Sequence, residues 1–492
     1  MRKRAKKLGS DYESNVSLLQ KQLRVDKNFD IVEQEYHFGG KAMSLYALDA
    51  FANDLVVTQI IENLSKLEEG ALSKDPLTRL EQSMIPIIEL EREDVLEELI
   101  TQILSGQAAL IVEGCSEAIL MDVREYPVRE PQEPDMERVA RGSKDGFVET
   151  LVFNSGLIRR RVRDPALIME PMQVGRRSKT DVVISYIDNV ADPELMRRLK
   201  KKINAIDIDG VPMAEKTIEE FLIKKSLVPF PQVRYTERPD TAAVHLMEGH
   251  VLILVDGSNV AMIVPTTYFH HLQHAEEYRQ EPIVGFFLRW VRFLAVFVSI
   301  FLLPVWFLIA DNEALGPDVW GFIGVEEDFN IPIFWQILIA EFGLQVLRMA
   351  AIHTPDALAT ALGLVAAILI GEIGVETGVF TNEVVMYAAV SAMAGYATPS
   401  YELGLCNVLI RIALVLSVGF FSLYGFLIIG LIIFLMLVKT KILNTPYLWP
   451  FLPFNAKALS DLLLRMPMPY KNHRPSFVHP LDSKRQATGR KR

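Results

Sequence analysis

Phe293-Leu-Ala-Val-Phe-Val-Ser-Ile-Phe-Leu-Leu-Pro-Val-Trp-Phe-Leu-Ile-Ala310 contains no charged residue, and its reading decides the fold. The hydrocarbon core of a bilayer, about 30 Å thick, requires about 20 apolar residues of helix. Arg289 and Arg292 stand just before this stretch, whereas 311–330 holds Asp311, Glu313, Asp318, Glu326, Glu327 and Asp328 and neither Lys nor Arg. Positive residues are retained on the cytoplasmic side, so the N-terminal side of the span is expected in the cytoplasm. Four further apolar stretches follow at 331–350, 357–376, 384–401 and 412–438. A soluble protein could hardly cover so much apolar surface. The expected class is an α/β soluble N-terminal region of two tandem subdomains followed by an α-helical multi-pass transmembrane domain.

Composition agrees with this split. At 492 residues more than one core is expected. The net charge of −10 conceals basic ends. Arg2, Lys3, Arg4, Lys6 and Lys7 open the chain, and 455–492 holds nine Lys and Arg against Asp461 and Asp482. Beside a bilayer such ends are drawn to the anionic cytoplasmic leaflet, by roughly 1 kcal/mol per residue; a solvated tail has the same composition. No apolar run of signal-peptide length occupies the first 40 residues, so targeting is expected from the internal spans. Cys115 and Cys406 are the two cysteines, one in each half, which argues against a disulfide framework and suits a reducing compartment.

The expected divisions are a basic flexible start (1–29), a first cytoplasmic α/β subdomain (30–135), a linker and basic segment (136–164), a second subdomain (165–285), the transmembrane domain (286–440) and a basic cytoplasmic tail (441–492). Apolar residues recur at helical spacing from Ala42 to Leu64, and a second helix with leading acids is expected over 92–104. Leu110–Met121 and Leu252–Val264 each place two apolar runs around a Glu-Gly or Asp-Gly turn, the pattern of a β-hairpin. Val112, Glu113, Gly114 and Ala118 match Val255, Asp256, Gly257 and Ala261 at one constant offset, which implies two related subdomains; chance is the competing explanation, because Asp-Gly turns are common. Pro127–Pro134 reads as a linker, and 181–187 as a strand.

The basic runs Arg159–Arg163 and Arg176–Lys179 are short, lack interleaved aromatics and sit in an acidic chain, so they read as solvated faces or as salt bridges to neighbouring subunits, with no nucleic-acid partner. His270, His271 and His274 precede the first span and read as a polar belt at the membrane edge rather than a metal site. No phosphate-binding loop, metal-spaced His/Cys set or nucleophile elbow is present in the sequence. Neither an enzyme nor a cofactor is expected.

Charges within apolar spans are costly and face protein or water. Glu341 and Arg348 are two helical turns apart, Glu372 and Glu376 one turn apart; Glu402 follows the helix-breaking Thr398-Pro-Ser-Tyr401, and Arg411 opens the last span. Pairing of Glu341 or Glu402 with Arg348 or Arg411 is one reading. The other is a hydrated cation path lined or gated by these residues, with rings of acids supplied by a homo-oligomer. The 27 uncharged residues of 412–438 suggest a single tilted crossing. Lys439, Lys441 and the tail put the C-terminus inside, which requires an even number of crossings from five segments. Either 384–404, with Gly395, Pro399 and Gly404, or 331–350 is then expected not to cross.

Several stretches resemble the A-subunit (GerA-type) family of bacterial spore germinant receptors: Gly142–Glu149, Gly156–Arg161, Val174–Asp181, Ile206–Gly210, Pro229–Val233 with Thr236–Pro239, Leu254–Gly257, Pro399–Gly404 and Pro446-Tyr-Leu. The resemblance covers roughly 40–455. It implies a two-part cytoplasmic domain, a membrane domain in the spore inner membrane, and a role in germination in which A subunits form a ring-shaped ion channel. The long tail Arg465–Lys471 with Arg474–Asp482, and His37-Phe-Gly-Gly-Lys41, look like the stage V sporulation branch of that family. That branch implies amplification of ion release beside the receptors rather than direct nutrient recognition. The expected function is therefore an oligomeric channel, or channel subunit, promoting cation release from the spore core, with the bilayer, further copies and other germination membrane proteins as partners. A non-conducting scaffold organising germination proteins is the alternative.

Overall fold

The computed structural model describes residues 6–125, 137–223, 228–311, 330–353, 356–443 and 445–486. The Pro127–Pro134 linker, Arg2, Lys3, Arg4 and nearly all of the acidic stretch after the first span lie outside them. The chain divides into two compact units, one comprising 1–225, 235–265 and 468–492, the other 226–234 and 266–467.

The first unit is a tandem duplication. Helix α1 (Tyr12–Leu23) leads strands β1 (Ile31–Phe38) and β2 (Lys41–Leu48), helices α2 (Asp54–Ser65) and α3 (Pro76–Ser83), strand β3 (Leu90–Glu93), helix α4 (Leu96–Leu104) and strands β4 (Ala108–Val112) and β5 (Ala118–Met121). The series then repeats as α5 (Leu151–Arg159), β6 (Leu167–Val174), β7 (Thr180–Ile187), α6 (Pro193–Asn204), α7 (Ala214–Leu222), β8 (Arg234–Thr236), α8 (Pro239–Glu248), β9 (Val251–Val255) and β10 (Ala261–Val264). The two five-stranded sheets have one topology, β1-β2-β4-β5-β3 and β6-β7-β9-β10-β8. Gly114 and Gly257 close the corresponding hairpins with φ of 77° and 81°, backbone that side chains with a Cβ adopt only at a cost.

Each sheet is sandwiched. Leu99, Ile103 and Leu19 pack on one face of the first sheet, and Ile60, Leu64, Leu77 and Leu80 on the other. Burial on both faces explains a departure from the sequence reading. The helix expected over Ala42–Leu64 is a strand up to Leu48 and a helix only from Asp54, where Asn53 caps by accepting from the Val56 amide. Every residue from Ala42 to Leu48 is buried, and an unbroken apolar run carries no period by which to tell strand from helix. The expected flexible start is likewise helical over Tyr12–Leu23, with Leu19 and Leu23 fully buried.

Within the basic run Arg159–Arg163, Arg160 and Arg163 are exposed, Arg161 is half-buried, and Arg159 is internal. Arg159 and Asp30 are each 1% exposed. Arg159 Nε donates to Asp30 Oδ2 at 2.8 Å and its Nη2 to Asn28 Oδ1 at 3.1 Å, while Asn28 Oδ1 also accepts from the Met169 amide at 2.7 Å. One ion pair thus fastens the first subdomain to the second. Arg161 binds Asp145; burial alone would raise that carboxyl, but the hydrogen bonds from Arg161 and Ser143 together with the Arg161 charge hold it below its ordinary value. Arg176, exposed, pairs with Asp207 and Asp209 of its own chain, both at 3.1 Å.

The second unit is helical: a short α9 (Ala275–Arg279), α10 (Pro282–Ala310), α11 (Ile333–His353), α12 (Asp356–Ala367) continuing through a π turn (Ile368–Ile373) into α13 (Gly374–Glu376), α14 (Asn382–Tyr396), α15 (Tyr401–Lys439) and α16 (Ala456–Leu464). Among the described residues three helices, α10, α11 and α15, are long and apolar enough to cross a membrane. The last differs from the single 27-residue crossing expected. It begins at Tyr401 and is broken at Ser422, where φ is 49° and ψ −137°. Leu403, Cys406 and Ile410 pack with Val296 and Ile300 in the middle of α10; Val415 and Val418 reach Leu303 and Phe307 nearer its end. Beyond the break, Leu423 is still in the second cluster, whereas Ile433 and Met436 have returned to the first. The helix is therefore a hairpin of two antiparallel arms.

Of the histidines before α10, His270 and His271 are buried and His274 is half-buried. His270 Nδ1 accepts from the Thr267 amide at 3.1 Å, and His274 Nδ1 from the Glu276 amide at 3.2 Å. His271 is 2% exposed; its burial, with Arg234 adding repulsion, pushes the imidazole down to about 3.

Candidate functional site

Six charged residues within the apolar stretches were the sequence's candidates, and the helical unit sorts them into three environments. Glu341 on α11 and Arg411 on the first arm of α15 come together in the interior. Arg411 Nε and Nη2 each donate to a carboxylate oxygen of Glu341 at 2.8 Å, and Nη1 donates to the Ser299 carbonyl of α10 at 2.6 Å. Both side chains are 2% exposed or less. Three helices are tied at one level by a bidentate, charge-assisted contact.

Arg348 and Glu402 do not join that pair. Arg348, two turns beyond Glu341, lies over the Tyr396 ring of α14 at 4.9 Å, a cation–π contact. Glu402 accepts from the Ser400 hydroxyl at 2.8 Å, and Ser400 caps α15 through the Leu403 amide. The break at Pro399 is thus held by its own first turn.

Glu372 and Glu376 occupy the third environment. They follow one another by one turn on the continuous rod 356–376, at its π turn and its end, and both are exposed. Leu364, Val365, Ile368, Leu369 and Ile373 of the same rod are exposed as well. A π turn inside a helix frequently marks a functional position. In hydrocarbon an exposed carboxylate is strongly disfavoured, so this face requires water or further protein.

Polar residues that the sequence reading passed over also lie in this interior. Gln336, fully buried, donates to the Ile331 carbonyl and accepts from the Thr381 amide. Ser299, Ser391 and Asn407 are each 1% exposed or less. Spacing could have found Asn407, one turn before Arg411 on the same helix face. Nearer the start of α10, Glu277 is fully buried between Arg289 and Arg292, and Arg465 binds the Glu277, Tyr278 and Gln280 carbonyls.

Comparisons with known proteins bear on the whole of this architecture. The chain is 46% identical over 461 residues to stage V sporulation protein AF of Bacillus subtilis (strain 168), covering 94% of each chain. It is 28% identical to spore germination protein B1 of the same organism, over 97% of this chain and 99% of that one. A crystal structure of the N-terminal domain of the A subunit of the Bacillus megaterium spore germinant receptor GerK3 aligns with 54% of this chain and 99% of that one, at 22% identity and a TM-score of 0.39. The Bacillus/Clostridium GerA spore germination protein family matches residues 17–477. With 17–477 of its 492 residues matched and its relative in Bacillus subtilis aligned over 94% of both chains, the chain belongs to the GerA spore germination protein family.

Proposed function

We propose that this protein is a multi-pass membrane component of spore germination whose copies assemble around a common axis and release cations from the spore core, amplifying what the receptors begin. The observation that carries the reading is the rod 356–376, with Glu372 and Glu376 exposed on an otherwise apolar surface. A single copy leaves these carboxylates facing lipid; several copies turn them toward a shared, hydrated path. Glu341 is neutralised by Arg411, so in this reading that pair and Arg348 brace the bundle, Glu402 holds the start of α15, and Glu372 and Glu376 line the path.

Six traverses meet the parity requirement: α10, α11, the rod 356–376, α14 and the two arms of α15. The arms contain 21 and 17 residues, about 32 and 26 Å of helix. The shortest traverse is α14, with 15 residues or about 22 Å. Both termini then lie on the cytoplasmic side, as the Arg289–Arg292 and Lys439–Lys441 flanks favour.

The competing scaffold reading draws on the Glu341–Arg411 pair, which is complete within one chain. Reconstitution of the purified full chain in liposomes separates the two. Channel activity predicts an oligomer and potassium efflux that falls when both Glu372 and Glu376 become Gln. A monomer that leaks nothing leaves only the anchoring role.

A further inference from the structure

We infer that the first-repeat loop Ile85–Leu90 is a docking site for a different membrane protein, and that it takes an apolar segment bearing lysine or arginine where a span of that protein meets the cytoplasm. The inference rests on the membrane setting of the reading above and names the chemistry of a partner that the reading leaves open. It holds whether or not the chain conducts.

The duplication exposes the loop. At the spacing that relates Gly114 to Gly257, Ile85-Pro-Ile-Ile-Glu-Leu90 matches Val228-Pro-Phe-Pro-Gln-Val233: an aliphatic residue, a proline, an apolar pair, an acid or its amide, and a second aliphatic residue. Each stretch leads into the edge strand of its sheet, β3 or β8. The second-repeat loop is occupied. Residues 226–234 belong to the helical unit. Phe230 is 4% exposed there, in one cluster with Leu272, which precedes α10, and Tyr447, which follows α15. Its ring lies 6.1 Å from that of Tyr447, whose hydroxyl donates to the Pro231 carbonyl at 2.7 Å. Arg234 donates to the His270 carbonyl at 2.9 Å. This loop is thus seated on the segments of its own chain that flank α10 and α15.

The first-repeat loop is open. Ile85 and Ile87 turn to the core of their own sheet, and Ile88 is left fully exposed. Leu55, in the first turn of α2, is exposed as well. The Asn53 amide donates to the Val123 carbonyl at 3.0 Å and the Asp122 amide to the Glu89 carbonyl at 3.3 Å, so the start of α2 and the loop flank the same two residues. Val56 and Ile87, the half-buried chain neighbours of Leu55 and Ile88, extend this apolar surface. Clustered apolar residues mark interaction sites, where scattered ones do not.

Charge identifies the occupant. Where the second repeat has Gln232 and Arg234 the first has Glu89 and Glu91, both exposed, and Asp54 adds a third exposed acid beside Leu55. Arg234 meets carbonyls; carboxylates at the corresponding places call for cations and N–H donors. An anionic leaflet is repelled by them, which sets lipid aside. A second copy is set aside at this surface too, because each copy already covers the segments beside its own α10 and α15 with Phe230. An aliphatic surface rimmed by acids fits the cytoplasmic end of a transmembrane helix, where apolar residues give way to Lys and Arg.

The test places a photoreactive benzophenone side chain at position 88 of the full chain in native membranes and maps the adducts. The expected result is an adduct with a different polypeptide, within about 15 residues of the cytoplasmic end of a span and beside Lys or Arg. The same label at Met213, an exposed apolar position of the second repeat, is expected not to give it. Glu89→Lys with Glu91→Lys is expected to cut the adduct by about tenfold or more, while the thermal midpoint of the purified chain stays at the wild-type value. The inference is overturned if position 88 labels lipid, a second copy or nothing, if Met213 gives the same adduct, or if the adduct persists in the double lysine variant. Efflux is measured separately on the purified chain. A mapped adduct without efflux keeps the docking site and removes the channel, whereas efflux without an adduct removes the docking site and keeps the channel.

Discussion

The helical unit treats its acids in two opposite ways. Around Arg411 every formal charge is matched within a few ångströms by its own chain, out of reach of solvent. On the rod 356–376, Glu372 and Glu376 stand exposed among leucine, valine and isoleucine. An interior completed by one copy stabilises that copy; a face left with bare carboxylates needs something the copy does not contain. On the function proposed above, the difference separates residues that build the protein from residues that put it to use.

The sharpest way to break this contrast is at the matched pair. Arg411→Gln leaves Glu341 buried and uncompensated, a change expected to destabilise by about 3–5 kcal/mol and to be seen as loss of folded protein in detergent. Replacing both partners, Glu341→Leu with Arg411→Met, is expected to restore most of the stability, because a buried pair is worth little over an apolar substitute. If the single variant unfolds at the wild-type temperature, the pair is not the brace described. Arg159→Leu tests the equivalent lock in the first unit, with a loss of similar size expected because Asp30 stays buried.

At the unmatched face the prediction reverses. Glu372→Gln with Glu376→Gln is expected to leave the stability within about 0.5 kcal/mol of wild type, as for other exposed positions. Cation efflux from proteoliposomes is expected to drop by roughly tenfold, the lower end of what focused charge contributes to local ion concentration. A variant that folds and conducts normally would remove both residues from the path.

Smaller effects refine the rest. The His271 imidazole, held down to about 3 by burial, is neutral in the folded protein across physiological pH, whereas unfolding frees it to titrate near about 6.5. Stability from this residue is therefore complete above about 6.5 and declines as the pH falls toward about 3. His271→Phe is expected to flatten that acid limb in thermal scans between pH 7 and 4. Gly114→Ala and Gly257→Ala, at left-handed turns of equal geometry, are each expected to destabilise by about 1 kcal/mol; clearly unequal values would show that the two hairpins no longer do the same job.

What the residues disclosed beforehand follows a physical line. The spans were legible because hydrocarbon demands long uncharged runs, and the duplication because Gly114 and Gly257 answer one backbone requirement at one spacing. The strand over Lys41–Leu48 was hidden because burial on both faces erases alternation. The reversal at Ser422 was hidden because an apolar run keeps its composition when it turns back on itself. Among the site residues, charge made Glu341 and Arg411 conspicuous, but which acid meets which arginine required knowing that α11 and α15 meet beside Ser299 of α10. Asn407 and Ser391 carry no charge, and only their burial sets them apart.

The second-repeat elements α8, β9 and β10 begin 143 residues after α4, β4 and β5, and each strand is the same length as its counterpart. Neither copy has therefore gained or lost a single position from the first residue of that helix to the last of the hairpin. Side chains in a strand change faces with every step, so one inserted residue would turn the inward set outward and carry the helix out of phase with the sheet it covers. Changes of chain length in these stretches are expected to be lethal to folding where substitutions are tolerated, and insertional scanning of this chain should recover no folded insertion in either hairpin.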